Sequence, residues 1–142
     1  MWIVAKIKKK ELSIFKDNLI ASFGKETKFY HPKIEYHKYL KNKLKKFEQY
    51  ILENYVFCYN ENFRQTSFVN QARYIKGLAY FLNGYHQNQN EIIKFIEYCK
   101  TFENKEGYLM PSFFKEIIKQ KAKFISGPFT NMIFEILEKQ KN

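Results

Sequence analysis

Trp2-Ile-Val-Ala-Lys-Ile7, then Lys8-Lys-Lys10, then Glu11-Leu-Ser-Ile-Phe-Lys-Asp-Asn-Leu-Ile-Ala-Ser-Phe23: within this opening stretch the hydrophobic pattern changes period once. The short run containing Ile3 and Val4, closed by lysines, predicts an N-terminal strand. From Glu11 to Phe23 the apolar residues Leu12, Phe15, Leu19 and Phe23 recur at spacings of three and four, with Lys16, Asp17 and Asn18 between them. That spacing predicts an amphipathic helix with one buried face, and Gly24 supplies its stop. A strand passing into a helix through a short basic turn makes the start of the chain mixed in class.

Working outward, Thr27 to Tyr30 reads as a second strand that ends, or lies on an edge, at Pro32, because proline has no N–H to give a sheet ladder. The run from His37 to Lys46 carries Lys38, Lys41, Lys43, Lys45 and Lys46 and reads as an exposed hairpin arm. Phe47 to Tyr59, rich in aromatic and β-branched residues, predicts one long strand closed by Asn60 to Asn62. Thr66 or Ser67 caps a short helix reaching Tyr74, with Phe68, Ala72 and Ile75 on its inner side, until Gly77 breaks it. Leu78 to Leu82 reads as a short buried strand, and Asn83-Gly84 as a turn. Asn90 caps a third helix with an apolar stripe that includes Ile92, Phe95, Ile96 and Cys99. The polar run Glu103 to Gly107 reads as a linker, Phe113 to Ile118 as a helical turn, and Ala122 to Leu137 as two strands around Gly127 and Pro128. The order lacks the repeated strand–helix–strand rhythm of a parallel sheet, so the expected class is α+β with an antiparallel sheet.

The 142 residues suffice for one ordinary domain, or for about 100 residues plus a small appendage. A hydrophobic fraction of 45%, with 15 Phe and 11 Tyr, supplies a packed core. The net charge of +11 favours a polyanionic partner such as DNA, RNA or an acidic protein surface, although a lysine-rich coding bias would give the same composition. No run of about 18 apolar residues exists, and Met1 to Ile7 is too short for a signal peptide, so a cytoplasmic protein without a membrane partner is expected. Cys58 and Cys99 show no CxxC or paired His spacing and read as free buried thiols.

Catalytic patterns are missing from the sequence. His31, His37 and His86 have no Cys, Asp or His at metal-ligand spacing. There is no GxSxG elbow, no P-loop and no GxGxxG, and the five glycines are scattered singly. Acidic residues sit beside lysines, as Glu91 does with Lys94 and Glu116 with Lys119, the layout of a solvated helix face. The expectation is a non-enzyme with no cofactor, metal or small-molecule substrate.

Three segments, in order, resemble the NusG family of transcription elongation factors, including its specialised RfaH-like members. Trp2-Ile-Val-Ala-Lys6 and the helix after it are similar to the family's opening. Leu52-Glu-Asn-Tyr55-Val-Phe57 is similar to its apolar, glycine-or-asparagine, tyrosine strand segment, and is followed by Gly77-Leu-Ala-Tyr-Phe81-Leu-Asn-Gly84 and a helix opening at Glu91. Asn54 and Phe57 look closer to the RfaH-like members. Gly127-Pro-Phe129-Thr-Asn-Met132 resembles the start of the family's small C-terminal β-barrel, the KOW module. Glu53 stands where the family usually has proline, and Phe134 where a KOW motif usually has glycine.

The resemblance implies an NGN-like domain over 1–102, a four-stranded antiparallel sheet flanked by helices, then a linker over 103–121 and a partial KOW-like β segment over 122–142. It implies binding of the clamp coiled coil of the largest subunit of bacterial RNA polymerase through a patch of Leu52, Tyr55, Phe57 and Phe81. It further implies contact with the non-template DNA strand. Lys8 matches a basic family position, and Trp2, Lys9, Lys10, Lys16 and Arg73 extend that expected nucleic-acid surface. The polar threonine cluster of RfaH-like members is unmatched, the aligned stretch being Phe68-Val-Asn-Gln71. A second reading from another class is a freestanding basic nucleic-acid-binding module, supported by net charge and the arm from Lys38 to Lys46.

Overall fold

The computed structural model describes residues 1–120 and 128–140. By compactness the chain forms two units, Met1–His31 with Asn54–Gln89, and Pro32–Glu53 with Asn90–Asn142. These units differ from the division at 102 and 121 that the resemblance implies.

In the first unit the strands are β1 (Trp2–Ile7), β2 (Lys28–Tyr30), β5 (Tyr55–Tyr59) and β6 (Leu78–Phe81), with the helices α1 (Leu12–Phe23) and α2 (Thr66–Ala72). They form a four-stranded sheet in the order β2-β5-β1-β6, and every neighbouring pair is antiparallel. Each helix joins two strands that leave one slot between them, so β1-α1-β2 and β5-α2-β6 interlock as a split β-α-β arrangement. Both helices face the same side of the sheet. Phe15, Leu19 and Phe23 of α1 and Val69 and Ala72 of α2 share one core with Ile3, Ala5, Ile7, Val56 and Cys58. Strand alternation sends these five strand residues to one face, and the 3.6-residue period brings the helical set onto one stripe.

Two polar devices fix the unit's connections. Buried Asn60 accepts from the Asn62 N–H at 2.9 Å and donates to the Phe23 carbonyl at 3.2 Å and to Thr27 Oγ1 at 3.0 Å, tying the end of β5 to the end of α1. At the opposite end of β5, Gly77 has φ +93°, and an added Cβ would lie 2.9 Å from the Glu11 carbonyl oxygen. Only glycine brings this loop close enough for the Gly77 carbonyl to accept from the Lys8 N–H at 2.8 Å.

The second unit holds the hairpin of β3 (Lys33–Leu40) and β4 (Lys43–Tyr50), then α3 (Gln89–Thr101, whose first residue belongs to the first unit), α4 (Ser112–Gln120) and α5 (Pro128–Gln140). Lys41 and Asn42 both have positive φ, 53° and 64°, which makes the two-residue turn that matches strand twist. Phe113 of α4 is fully buried against the rings of Tyr98 and Phe102, each 5.9 Å away.

The class is α+β with a four-stranded antiparallel sheet and five helices among the described residues. Three local expectations are corrected. Phe47 to Tyr59 is two strands, because the chain turns at Ile51 to Asn54 with Glu53 at φ 55°. The polar run expected to be a linker is a tight turn: Asn104 Oδ1 accepts from the N–H groups of Glu106 and Tyr108, both at 3.0 Å, and Glu103 bridges Leu109. The C-terminal β segment is replaced, where described, by helix α5. Thr130, Ile133, Phe134 and Leu137 are buried at helical spacing, and a proline suits the first helical turn. The Glu91 carboxylate caps the start of this helix, accepting from the Thr130 N–H at 2.7 Å and from its hydroxyl. The remainder of that expected β segment, residues 122–127 and 141–142, lies outside the described residues.

Candidate partner and nucleic-acid interface

The sheet face opposite α1 and α2 carries Trp2, Val4 and Lys6 from β1, and Tyr55, Phe57 and Tyr59 from β5. Register makes the neighbours. Lys6 stands across from Tyr55 on one side and from Tyr80 of β6 on the other. Its ammonium lies 4.1 Å from the centroid of the Tyr55 ring, and the Tyr55 and Tyr80 hydroxyls meet at 3.4 Å across it. Tyr80 is 49% exposed and Tyr55 and Lys6 are half-buried, so three side chains form an open aromatic surface with a cation at its centre. The hydrogen bond to the Tyr55 hydroxyl and partial burial hold the Tyr80 phenol above its usual pKa.

The turn that follows β1 places Lys8, Lys9 and Lys10 in solvent, with Lys10 at φ 66°. The Lys8–Gly77 hydrogen bond draws in the loop from Arg73 to Lys76, in which Arg73, Tyr74 and Lys76 are exposed, Tyr74 at 91%. Cations and an exposed aromatic ring therefore share the end of the sheet where Lys6, Tyr55 and Tyr80 lie. This is the chemistry that binds a phosphate backbone and stacks bases.

The residues expected to form one polymerase-binding patch are dispersed. Leu52 and Phe57 are fully buried and present no surface. Phe81 stands opposite Ala5 and packs against the core beneath α1 and α2, on the other face from Tyr55. Tyr55 alone of the four is on the open surface. Of the expected nucleic-acid set, Lys8, Lys9 and Lys10 cluster, and Arg73 lies on the loop bonded to their turn. Lys16 covers the ring of Phe29, 5.5 Å from its centroid. Trp2 sits at the far end of β1, edge-on to Tyr59 at 5.3 Å, and its backbone N–H and carbonyl are bound by the Gln89 amide at 2.9 and 2.6 Å.

Tyr80, Lys76 and Tyr74 were not expected to take part. For Tyr80 the signal was present, since alternation in Leu78-Ala-Tyr-Phe81 puts Tyr80 and Phe81 on opposite faces. Linking Tyr80 to Tyr55 requires the register through Lys6, which no local pattern encodes.

Among the described residues no group of three or more His, Cys, Asp or Glu side chains is placed to hold a metal ion. Cys58 and Cys99 are buried and form no disulfide, and burial pushes the Cys58 thiol above its ordinary pKa, which leaves it protonated and unreactive. Nothing here points to an enzyme. No described helix is long and apolar enough to cross a membrane. Comparison with protein-family models and with curated proteins finds no match to this chain.

Proposed function

We propose that the chain is a NusG-like transcription elongation factor whose NGN-like sheet docks on the clamp coiled coil of bacterial RNA polymerase and modulates processivity, pausing or termination. The observation that carries this reading is Tyr55. It belongs to the segment most similar to the family's strand, Leu52-Glu-Asn-Tyr55-Val-Phe57, and it stands on an open sheet face beside Tyr80 and Lys6. Exposed tyrosines with little rotamer freedom are the residues that anchor protein interfaces, and Lys6 adds attraction to an acidic partner. The basic turn of Lys8, Lys9 and Lys10 then faces the nucleic acid that a polymerase-bound factor meets, which supports contact with the non-template strand. The partial KOW-like identity of the C-terminal residues rests on the Gly127-Pro-Phe129 resemblance alone.

The test is co-purification with bacterial RNA polymerase at moderate salt, comparing the native protein with Tyr55→Ala plus Tyr80→Ala. Retention of the native chain and loss in the folded double variant supports the proposal. A native chain that is not retained, yet binds DNA in a salt-sensitive way through Lys8, Lys9 and Lys10, favours the freestanding nucleic-acid module.

A further inference from the structure

The hairpin separates its charges along its length. At its base Glu35 and Glu48 stand opposite each other, and each is neutralised: Lys46 meets Glu35 at 3.1 Å and Lys33 meets Glu48 at 3.6 Å. The buried Tyr108 hydroxyl donates to Glu48, and the Lys33 and Lys46 ammonium groups lie 5.0 and 5.3 Å from the Tyr108 ring centroid. The Lys33 carbonyl accepts from the Leu109 N–H at 2.9 Å. The base is thus an anchored, charge-balanced platform within the second unit.

Toward the tip there is no acid. Lys38, Lys41, Lys43 and Lys45 are exposed, and none pairs with a carboxylate among the described residues. Cross-strand register sets Lys38 opposite Lys45 and Lys43 opposite Leu40 on one face, while Tyr39 stands opposite Leu44 on the other. Tyr39 is 75% exposed and Leu44 57%, so the uncharged face of the tip is also open.

We infer that this tip is a DNA-binding ribbon, entering the major groove of a B-form duplex with Lys38, Lys41, Lys43 and Lys45 reaching the phosphates. The width argues for a duplex. A two-stranded ribbon fits a groove about 12 Å wide and brings lysines from both of its strands toward the two phosphate walls. The deep, narrow major groove of A-form RNA does not admit it. Tyr39 and Leu44 lie on the opposite face of the ribbon, turned away from the groove. This binding element is distinct from the Lys6–Tyr55–Tyr80 surface and does not depend on polymerase.

The test is fluorescence anisotropy of the full chain with a mixed-sequence DNA duplex over a range of salt, for the native protein and for the combined variant Lys38→Gln, Lys41→Gln, Lys43→Gln and Lys45→Gln. Loss of four phosphate contacts lowers the slope of log affinity against log salt by about 3 to 4. A Tyr39→Ala plus Leu44→Ala variant, altered on the face turned away from the groove, keeps both the duplex affinity and that slope. The inference is overturned if the native chain does not bind duplex DNA. It is equally overturned if the folded lysine variant keeps the native slope, if duplex RNA binds as well as DNA, or if the tip lysines instead govern attachment to anionic vesicles. None of these outcomes bears on retention by polymerase, which the Tyr55 and Tyr80 variants read separately.

Discussion

The two faces of the four-stranded sheet are built from the same strands and do opposite work. On one, Ile3, Ala5, Ile7, Val56 and Cys58 are sealed beneath α1 and α2. On the other, Lys6, Tyr55 and Tyr80 lie open at one end, joined by a cation over a ring and a pair of phenols. Alternation assigns residues to faces one by one; α1 and α2 cover the first face, and on the second Val4 and Phe57 are buried too, so only its Lys6–Tyr55–Tyr80 end is open. The contrast separates residues that hold the fold from residues free to meet a partner.

The largest expected effect comes from the covered face. Phe15→Ala removes a fully buried ring from the middle of that core and costs about 3 to 5 kcal/mol in urea unfolding. A loss under about 1 kcal/mol would erase the distinction between the faces.

Gly77→Ala comes next, because its φ of +93° and the Glu11 carbonyl beside it leave no room for a methyl group. The expected cost is about 1 to 3 kcal/mol by thermal or urea unfolding, together with weaker nucleic-acid binding as the turn of Lys8 to Lys10 loses its support. Full retention of both stability and binding would show that the loop and the turn are independent.

The anchored base of the hairpin gives a smaller, pH-dependent effect. The Tyr108 hydrogen bond, aided by Lys33 and Lys46, holds Glu48 below the usual carboxylate range, while the same bond and burial push Tyr108 up to about 12. Because the folded pKa of Glu48 is depressed, its contribution to stability is present above the unfolded carboxylate pKa and fades as pH falls through the folded value. For Tyr108 the neutral phenol is favoured, so its contribution holds below about 10 and is lost as pH rises toward 12. Tyr108→Phe should flatten the native stability profile in both windows, measured by urea unfolding across pH.

The smallest stability effect belongs to the open face. Tyr55→Ala or Tyr80→Ala singly should shift unfolding by about 0.5 kcal/mol or less, while weakening polymerase retention. A large stability loss would place these rings in the core.

Much of the fold was legible because its signals are local. The period change between Trp2–Ile7 and Leu12–Phe23, the lysine-rich arm and the helix after Asn83-Gly84 each follow from spacing that neighbouring residues state in full. The C-terminal helix departs from the strands expected around Gly127 and Pro128 because the helical spacing of Thr130, Ile133, Phe134 and Leu137 is completed by a cap from Glu91, far away in sequence. The long strand from Phe47 failed for a related reason, since Ile51 and Leu52 are apolar yet lie in a turn. In the candidate site, Tyr55 and the basic turn could be named from sequence. Phe57 and Phe81 are aromatic like Tyr55, yet Phe81 packs beneath α1 and α2, Phe57 is fully buried on Tyr55's own face, and Tyr80 is open, none of which local spacing states.

The central claim is that the open end of the sheet, at Lys6, Tyr55 and Tyr80, is the polymerase-docking surface. The most direct measurement is an NMR titration of the isotope-labelled full chain with a purified clamp coiled-coil fragment. The account predicts shifts that saturate and concentrate on Lys6, Tyr55 and Tyr80. Saturable shifts confined to the hairpin tip, or no shifts at any accessible concentration, would contradict it.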